Sequence, residues 1–195
     1  MSDTATADSA AKHRARQTLI NLILSLLASL GVMLLVLLAV PRNDSNRIQH
    51  VDYISVGKQV VAASNVPLVN PKLPTGWWAN SARWQSAKST GVATWYAGFV
   101  GPQGQYVGLT QGFGANPTWL VLQTKTSLEN GQLVVAGHTW TLYQNPQPSN
   151  PPKTRDFLMA TQVGSDEIVL YGTASKAEFR IFATNVAKAI AKVYK

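Results

Sequence analysis

An uninterrupted apolar stretch, residues 19–40, constrains this chain more than any other feature of its sequence. Its twenty-two residues carry no charged side chain, and an α-helix rising about 1.5 Å per residue would carry them across the roughly 30 Å hydrocarbon core of a membrane. The run is longer than the core of a cleavable signal peptide. Cleavage at the small residues Ser29 and Gly31 would also leave a nearly continuous apolar segment at the new terminus. The sequence therefore predicts a retained signal-anchor, a transmembrane helix over residues 18–40.

The basic residues that flank this helix indicate its orientation. Lys12, Arg14 and Arg16 precede the apolar stretch, whereas Arg42 and Arg47 follow it. The more basic flank of a span usually stays in the cytoplasm. We therefore expect a single-pass protein of the plasma membrane, with a cytoplasmic amino terminus and an extracytoplasmic carboxyl-terminal domain.

The rest of the chain divides into three segments. Residues 1–17 have no apolar periodicity, and we expect a disordered basic tail in the cytoplasm. Residues 41–50 are polar and rich in turn-forming side chains, which is typical of a juxtamembrane linker. Residues 51–195 are numerous enough to bury one hydrophobic core. One extracytoplasmic domain is the expectation for that segment.

Three polar or small residues of the span share one face of the predicted helix. Asn21, Ser25 and Ser29 recur at every fourth position, so they lie above one another. Such a stripe favours close helix packing, and one interpretation is a homodimer or a partner helix held through it. The alternative is that the serine hydroxyls bond to carbonyl groups of their own helix, with Asn21 near interfacial water.

The net charge of the domain indicates which classes of partner it would attract. Beyond Pro41 there are fourteen Lys and Arg against seven Asp and Glu, a net charge of +7. Beside a membrane this charge favours anionic lipid, an acidic glycan or an envelope protein over nucleic acid. A merely soluble basic surface explains it equally well. The chain has no cysteine, which excludes disulfides, zinc–thiolate sites and thiol catalysis.

The domain sequence indicates a series of β-hairpins. In residues 91–100, Ala93, Trp95, Ala97 and Phe99 alternate onto one face. The turn signal GPQG at 101–104 follows, and residues 105–113 return as the antiparallel partner. A second hairpin is expected from residues 133–136 and 139–144, and a third from residues 156–163 and 167–174. Further strands are expected at residues 51–56 and 77–84.

Helices are expected at three places in the domain. Residues 58–64 are predicted to form two turns. Asn116 and Pro117 are typical of a helix start, and this second helix is predicted to run to Gly131. Ser175 and Glu178 match a capping box and open an amphipathic terminal helix, in which apolar residues recur at steps of three and four. The predicted fold class is α+β: one transmembrane helix, then a mostly antiparallel sheet with helices packed on it, ending in a C-terminal amphipathic helix.

The residues that carry chemistry are few. His138 is the only histidine of the folded segment, and it follows Gly137 in a predicted hairpin turn, where an ordinary exposed histidine is typical. A hydrolase or transferase would need His138 with Asp156 or Asp166, and no G-x-S-x-G elbow supplies a nucleophile. No metal-ligand spacing or complete nucleotide loop occurs. We therefore expect no enzyme, no catalytic residue, no metal site and no cofactor.

Tryptophan is the more informative residue type. All six tryptophans follow the span, and Trp77 and Trp78 stand on adjacent positions that point to opposite faces of a strand. An exposed indole beside Arg83 or Lys88 would suit a sugar ring, a lipid head group or a partner protein. The alternative is that most of these indoles fill the core.

Several short motifs resemble one known family. They are Val51-Asp52, LPTGW at 73–77, NSAR at 80–83, GVATW at 91–95 and GQYV at 104–107. With the basic tail and the single span, they resemble the actinobacterial single-pass membrane family known as domain of unknown function 4245, over nearly the whole chain. The resemblance implies the topology and a cell-envelope setting, and it brings no catalytic residue with it.

Together these observations favour a membrane-anchored extracytoplasmic module that binds or scaffolds a cell-envelope component without catalysis. An envelope hydrolase or transferase that uses His138 with a nearby carboxylate is the alternative.

Overall fold

The computed structural model describes residues 3–39 and 49–194, in two compact units. The first unit holds helix α1, Asp3–Ala39. Its segment Arg16–Ala39 has a mean hydropathy of 2.8 and is long and apolar enough to cross a membrane. The sequence predicts a disordered tail before the span, but the helix already begins at Asp3. Five alanines between residues 5 and 15 explain this difference, because alanine has the highest helix propensity.

The predicted linker over residues 41–50 lies largely outside the described residues. The second unit follows it in the chain. This unit is built on one seven-stranded sheet in which every neighbouring pair is antiparallel, in the order β1-β2-β3-β7-β6-β5-β4. The strands are β1 Trp78–Gln85, β2 Ala93–Val100, β3 Tyr106–Phe113, β4 Leu128–Val135, β5 His138–Gln144, β6 Phe157–Val163 and β7 Asp166–Gly172. The α+β class and the three predicted hairpins are thereby confirmed.

Four helices accompany the sheet: α2 Tyr53–Ser64, α3 Ala87–Thr90, α4 Pro117–Thr124 and α5 Lys176–Val193. The predicted capping box opens α5, since Ser175 and Glu178 each bond to the other's backbone. The strand predicted at residues 51–56 is wrong. The Asp52 carboxylate accepts a hydrogen bond from the Ser55 backbone at 3.0 Å and starts α2 there instead, as an N-cap aspartate does.

The second helix prediction is right at its start and wrong at its end. The Asn116 side chain accepts from the Trp119 backbone at 2.9 Å, and Pro117 opens α4. The helix stops at Thr124, because Lys125 takes a positive φ of 55°. From Leu128 onwards the chain belongs to β4, and Gly131 lies in a bulge of that strand rather than at a helix end.

The hydrophobic core lies between one face of the sheet, the helix-packed face, and the helices α2 and α5. Trp95, Phe99 and Trp140 from the strands are excluded from solvent, as are Phe179 and Phe182 from α5. Each aromatic side chain of this size contributes about 1.5–3 kcal/mol by its burial. The core therefore fixes the helix-packed face. The opposite face carries a second, smaller buried cluster that includes Trp119, Leu158 and Tyr171.

Candidate functional site

The opposite face of the sheet carries polar and aromatic side chains in register. Arg83 on β1 pairs with Tyr96 on β2, and Tyr96 pairs with Thr110 on β3. One part of this face is covered by α4, whose Trp119 donates from its indole nitrogen to the Thr94 hydroxyl at 3.2 Å. The same indole packs on Gly112, where an added β-carbon would lie 2.8 Å from the ring.

Two glycines make room for tyrosine rings on this face. Gly98 on β2 pairs directly with Gly108 on β3. A β-carbon at Gly98 would lie 2.6 Å from the Tyr106 hydroxyl, and one at Gly108 would lie 2.6 Å from the Tyr171 ring. Real β-carbons do not approach other atoms so closely. Only glycine at these positions lets the two tyrosines lie against the strands.

Two arginines stack on the tyrosines. The Arg83 guanidinium carbon is 4.1 Å from the centre of the Tyr96 ring, and that of Arg155 is 3.5 Å from the centre of the Tyr171 ring. The Tyr96 and Tyr106 hydroxyls share a short hydrogen bond, and the rings of Tyr106 and Tyr171 are 6.5 Å apart. These five residues form a continuous string of contacts from one cation to the other, which we call the Arg–Tyr array.

The loop between β5 and β6 positions Arg155. One guanidinium nitrogen, Nη1, donates to the Gln123 carbonyl in α4 at 2.7 Å. Next to it, the Asp156 carboxylate accepts from the Lys153 backbone at 2.8 Å and from the Asn145 side chain at 2.8 Å. These bonds hold the end of the proline-rich loop, so Arg155 reaches the sheet from a fixed backbone.

The array is rich in hydrogen-bond donors and positive charge. Burial raises the pKa of Tyr106, and it raises the pKa of Tyr171 to about 12, so both stay protonated at neutral pH. Burial also lowers the pKa of Arg155, although a guanidinium keeps its charge in proteins. Within the part of the chain that the structure describes, no carboxylate forms an ion pair with Arg83 or Arg155. This arrangement suits an anionic group such as phosphate or carboxylate.

A second feature of the same face is a polar cleft of about 500 Å³ beside α4. His138, the first residue of β5, and Glu167 of β7 both line it. Burial raises the pKa of Glu167. The other polar residues that line this cleft are Thr139, Thr141, Tyr143, Thr161 and Gln162.

The two carboxylates predicted as partners of His138 have other roles. Asp156 holds the loop described above. Asp166 accepts from the Gly114 backbone at 2.9 Å and from the Tyr194 hydroxyl, and so ties α5 to the sheet. The structure thus places neither beside His138 in the cleft, and the acidic group there is Glu167. Among the described residues, no group of three His, Asp or Glu side chains is placed to hold a metal ion.

The predicted surface of tryptophans and cations is not gathered into one site. Trp77 packs edge-on against Phe182 at 4.7 Å, and Trp78 stacks on His50 at 4.0 Å. Both indoles are half-buried, and Lys88 is exposed on the short helix α3. Of the four residues, Arg83 alone belongs to the array.

In the span, the three residues of the predicted interface differ in their bonding. The Ser29 hydroxyl donates to the Leu26 carbonyl at 2.9 Å, which is the bonding that the alternative interpretation predicts. Asn21 and Ser25 lie on the exposed surface of α1. The interface of a homodimer or partner helix stays a prediction.

Four members of the array were not predicted as site residues from the sequence: Tyr96, Tyr106, Arg155 and Tyr171. The alternation that places Trp95 in the core also places Tyr96 on the opposite face, which was the available signal. The pairing of β3 with β7, which brings Tyr171 beside Tyr106, has no local signal.

Fold and site together define a class: an antiparallel α+β domain that follows a helix of membrane-spanning length and carries a cationic, tyrosine-rich surface. The chain belongs to the family described as protein of unknown function (DUF4245), whose family model matches residues 14–186. The match runs from α1 into α5 and confirms the resemblance seen in the short motifs. No curated protein and no solved structure matches the chain.

Proposed function

We propose that this protein is a non-enzymatic module, anchored in the plasma membrane, which binds an acidic polymer of the cell envelope through its Arg–Tyr array. One observation carries the proposal: Arg83 and Arg155 lie stacked on tyrosines of one sheet face, and among the described residues neither is paired with a carboxylate. An arginine held flat by an aromatic ring loses little further freedom when it binds phosphate or carboxylate. Tyrosine hydroxyls add neutral donors beside the two cations.

The chemistry of the array supports binding rather than catalysis. A general acid or base works best when its pKa lies near the working pH. The pKa values of Tyr106 and Tyr171 are raised away from neutrality, and a guanidinium does not give up its proton. The array therefore holds an anion without exchanging a proton with it.

The proposal includes the orientation of the protein in the plasma membrane. The apolar helix anchors the chain, and the basic residues before it keep the amino terminus in the cytoplasm. The net charge of the domain then draws acidic envelope polymers towards it. A reporter fused after Lys195 tests this placement: a reporter active only outside the cytoplasm should work, and activity of a strictly cytoplasmic reporter alone would reverse the orientation.

Binding can be measured on the full chain in nanodiscs of zwitterionic lipid, with polyphosphate and polyglutamate as polyanion probes. Arg83→Gln and Arg155→Gln should each weaken binding about ten- to a hundredfold, since a charge-assisted hydrogen bond contributes about 1.5–3 kcal/mol. Lys58→Gln is the matched control, because Lys58 lies on α2, which packs on the other face of the sheet. Equal losses in all three variants would mean that net charge alone attracts the probes.

Arg83→Lys separates charge from geometry. Lysine keeps the positive charge but has neither the flat guanidinium nor its fork of donors. We expect this variant to recover less than half of the affinity lost in Arg83→Gln. Full recovery would overturn the role assigned to the stacked guanidinium.

A second function is favoured by one observation, the common cleft of His138 and Glu167. A carboxyl group whose pKa is raised by burial suits a general acid or base, and the alternative enzyme then uses Glu167 as its carboxylate. A panel of ester and glycoside substrates tests it, with Glu167→Gln and His138→Ala as the inactive variants. Turnover that survives both substitutions would exclude this site as its origin.

A further inference from the structure

A separate cavity opens between the first turns of α5 and the strands β4, β5 and β6. Its volume is about 360 Å³, at the small end of ligand pockets, which occupy roughly 300–1,000 Å³. It lies on the helix-packed face and so is distinct from the Arg–Tyr array. Six hydrophobic side chains line it: Leu133, Leu142, Phe157, Met159, Ala177 and Phe179.

The apolar lining of the cavity is only partly excluded from solvent. Met159 and Phe179 are buried, whereas Leu133, Leu142 and Phe157 are half-buried. The apolar surface that these three residues keep exposed borders the cavity. Its removal from water by an apolar ligand would favour binding.

Two cations stand at the mouth of the cavity, one helical turn apart. Lys176 and Arg180 both line it and both are exposed. The Lys176 ammonium lies 5.7 Å from the centre of the Phe157 ring, so this charge borders the apolar lining directly. Within the described ranges, neither cation forms an ion pair with a carboxylate.

The acidic residue of the same turn does not neutralise them. Glu178 accepts hydrogen bonds from the Ser175 backbone at 2.8 Å and from the Gln105 side chain at 2.6 Å. It is therefore held in the capping box. The capping box also occupies amide groups at the start of α5, so an anion at this mouth would be bound by the two side chains and not by the helix end.

We propose that this cavity binds one long-chain fatty acid, with the alkyl chain on the apolar lining and the carboxylate against Lys176 and Arg180. The small volume argues for a single chain rather than a two-chain lipid. The paired cations at the mouth argue for a charged head group over an alcohol or an ester. This site is independent of the proposed function, since it shares no residue with the Arg–Tyr array.

The test is photolabelling of the full chain in zwitterionic nanodiscs, with a long-chain fatty acid that carries a photoreactive group in its alkyl chain. Mass spectrometry of the digested protein locates the label. We expect labelling of the β4–β6 segment and of the start of α5, displaced by lauric acid at about tenfold lower concentration than by dodecanol. Label confined to α1, or equal displacement by both competitors, would overturn the proposal.

Three variants make the outcome specific to the cavity. Leu133→Trp fills the apolar lining and should abolish labelling. Val134→Trp is the control, because Val134 is the next residue of β4, points to the other face and is 68% exposed. Lys176→Gln combined with Arg180→Gln, on the exposed side of α5, should remove the preference for lauric acid over dodecanol without a loss of fold. The proposal would also be refuted if Leu133→Trp left labelling unchanged and Lys176→Gln with Arg180→Gln left the preference for lauric acid unchanged.

Discussion

Replacing Gly108 with alanine tests how the Arg–Tyr array is built. The new β-carbon would lie 2.6 Å from the Cζ atom of Tyr171 and 3.0 Å from its hydroxyl. Gly108 is on β3, between β2 and β7, and Tyr171 is only 7% exposed under the Arg155 guanidinium. The ring therefore has little room to move. Overpacking of this kind costs about 1–3 kcal/mol, or about 2–12 °C in melting temperature for a domain of this size.

The assay is thermal and urea unfolding of the full chain in nanodiscs, followed by near-ultraviolet circular dichroism. The substitution is made in the natural chain and again in a Tyr171→Ala background. Without the ring there is no clash, so Gly108→Ala should cost almost nothing in that background. The difference between the two backgrounds is the coupling energy of the pair. An equal loss of stability in both would refute the idea that the glycine exists to seat the tyrosine.

Three further substitutions test the core, the hydrogen-bond network of the last helix and the response to acid. Phe182→Asp buries an unpaired charge at a position with no exposure and should unfold the domain; an unchanged melting temperature would show that α5 is not docked. Tyr194→Phe removes the hydroxyl that donates to Asp166 and should cost about 1–3 kcal/mol in urea unfolding; a loss near zero would contradict a structural role for that bond. Hydrogen bonds, above all from the Lys153 backbone, lower the pKa of Asp156 below its ordinary 3.8. The stabilisation that Asp156 provides is therefore present above that pH and is lost as the pH falls through the lowered value. Asp156→Asn should be less stable than the natural chain at neutral pH and should lose less stability on acidification. Parallel acid-unfolding curves of the two proteins would argue against this role of Asp156.

Local signals in the sequence were sufficient for most elements of the domain. The hairpin around Gly101–Gly104 and the capping box at Ser175 depend on residues close together in the chain, and both are found where expected. The end of α4 was not predictable in this way. Gly131 is equally typical of a helix stop and of a strand bulge, and only the pairing of β4 with β5 decides between them.

The candidate site depended on contacts that no local pattern contains. From the sequence, Trp77 and Trp78 with Arg83 and Lys88 were the predicted contact surface, and burial in the core was the alternative for most tryptophans. Trp95 and Trp140 are wholly buried, and their indole N–H groups have no partner in the described part of the chain. The array instead joins residues from β1, β2, β3, β7 and a loop. Its assembly requires β7 to pair with β3, a long-range choice made by the whole sheet.

The central claim, that the Arg–Tyr array binds acidic groups, is tested most directly by NMR of the arginine side-chain N–H groups during a polyphosphate titration of the full chain in nanodiscs. We expect the resonances of Arg83 and Arg155 to shift together and to saturate, with smaller changes in the resonances of Arg180. Unchanged resonances of Arg83 and Arg155 while other basic residues shift would contradict it.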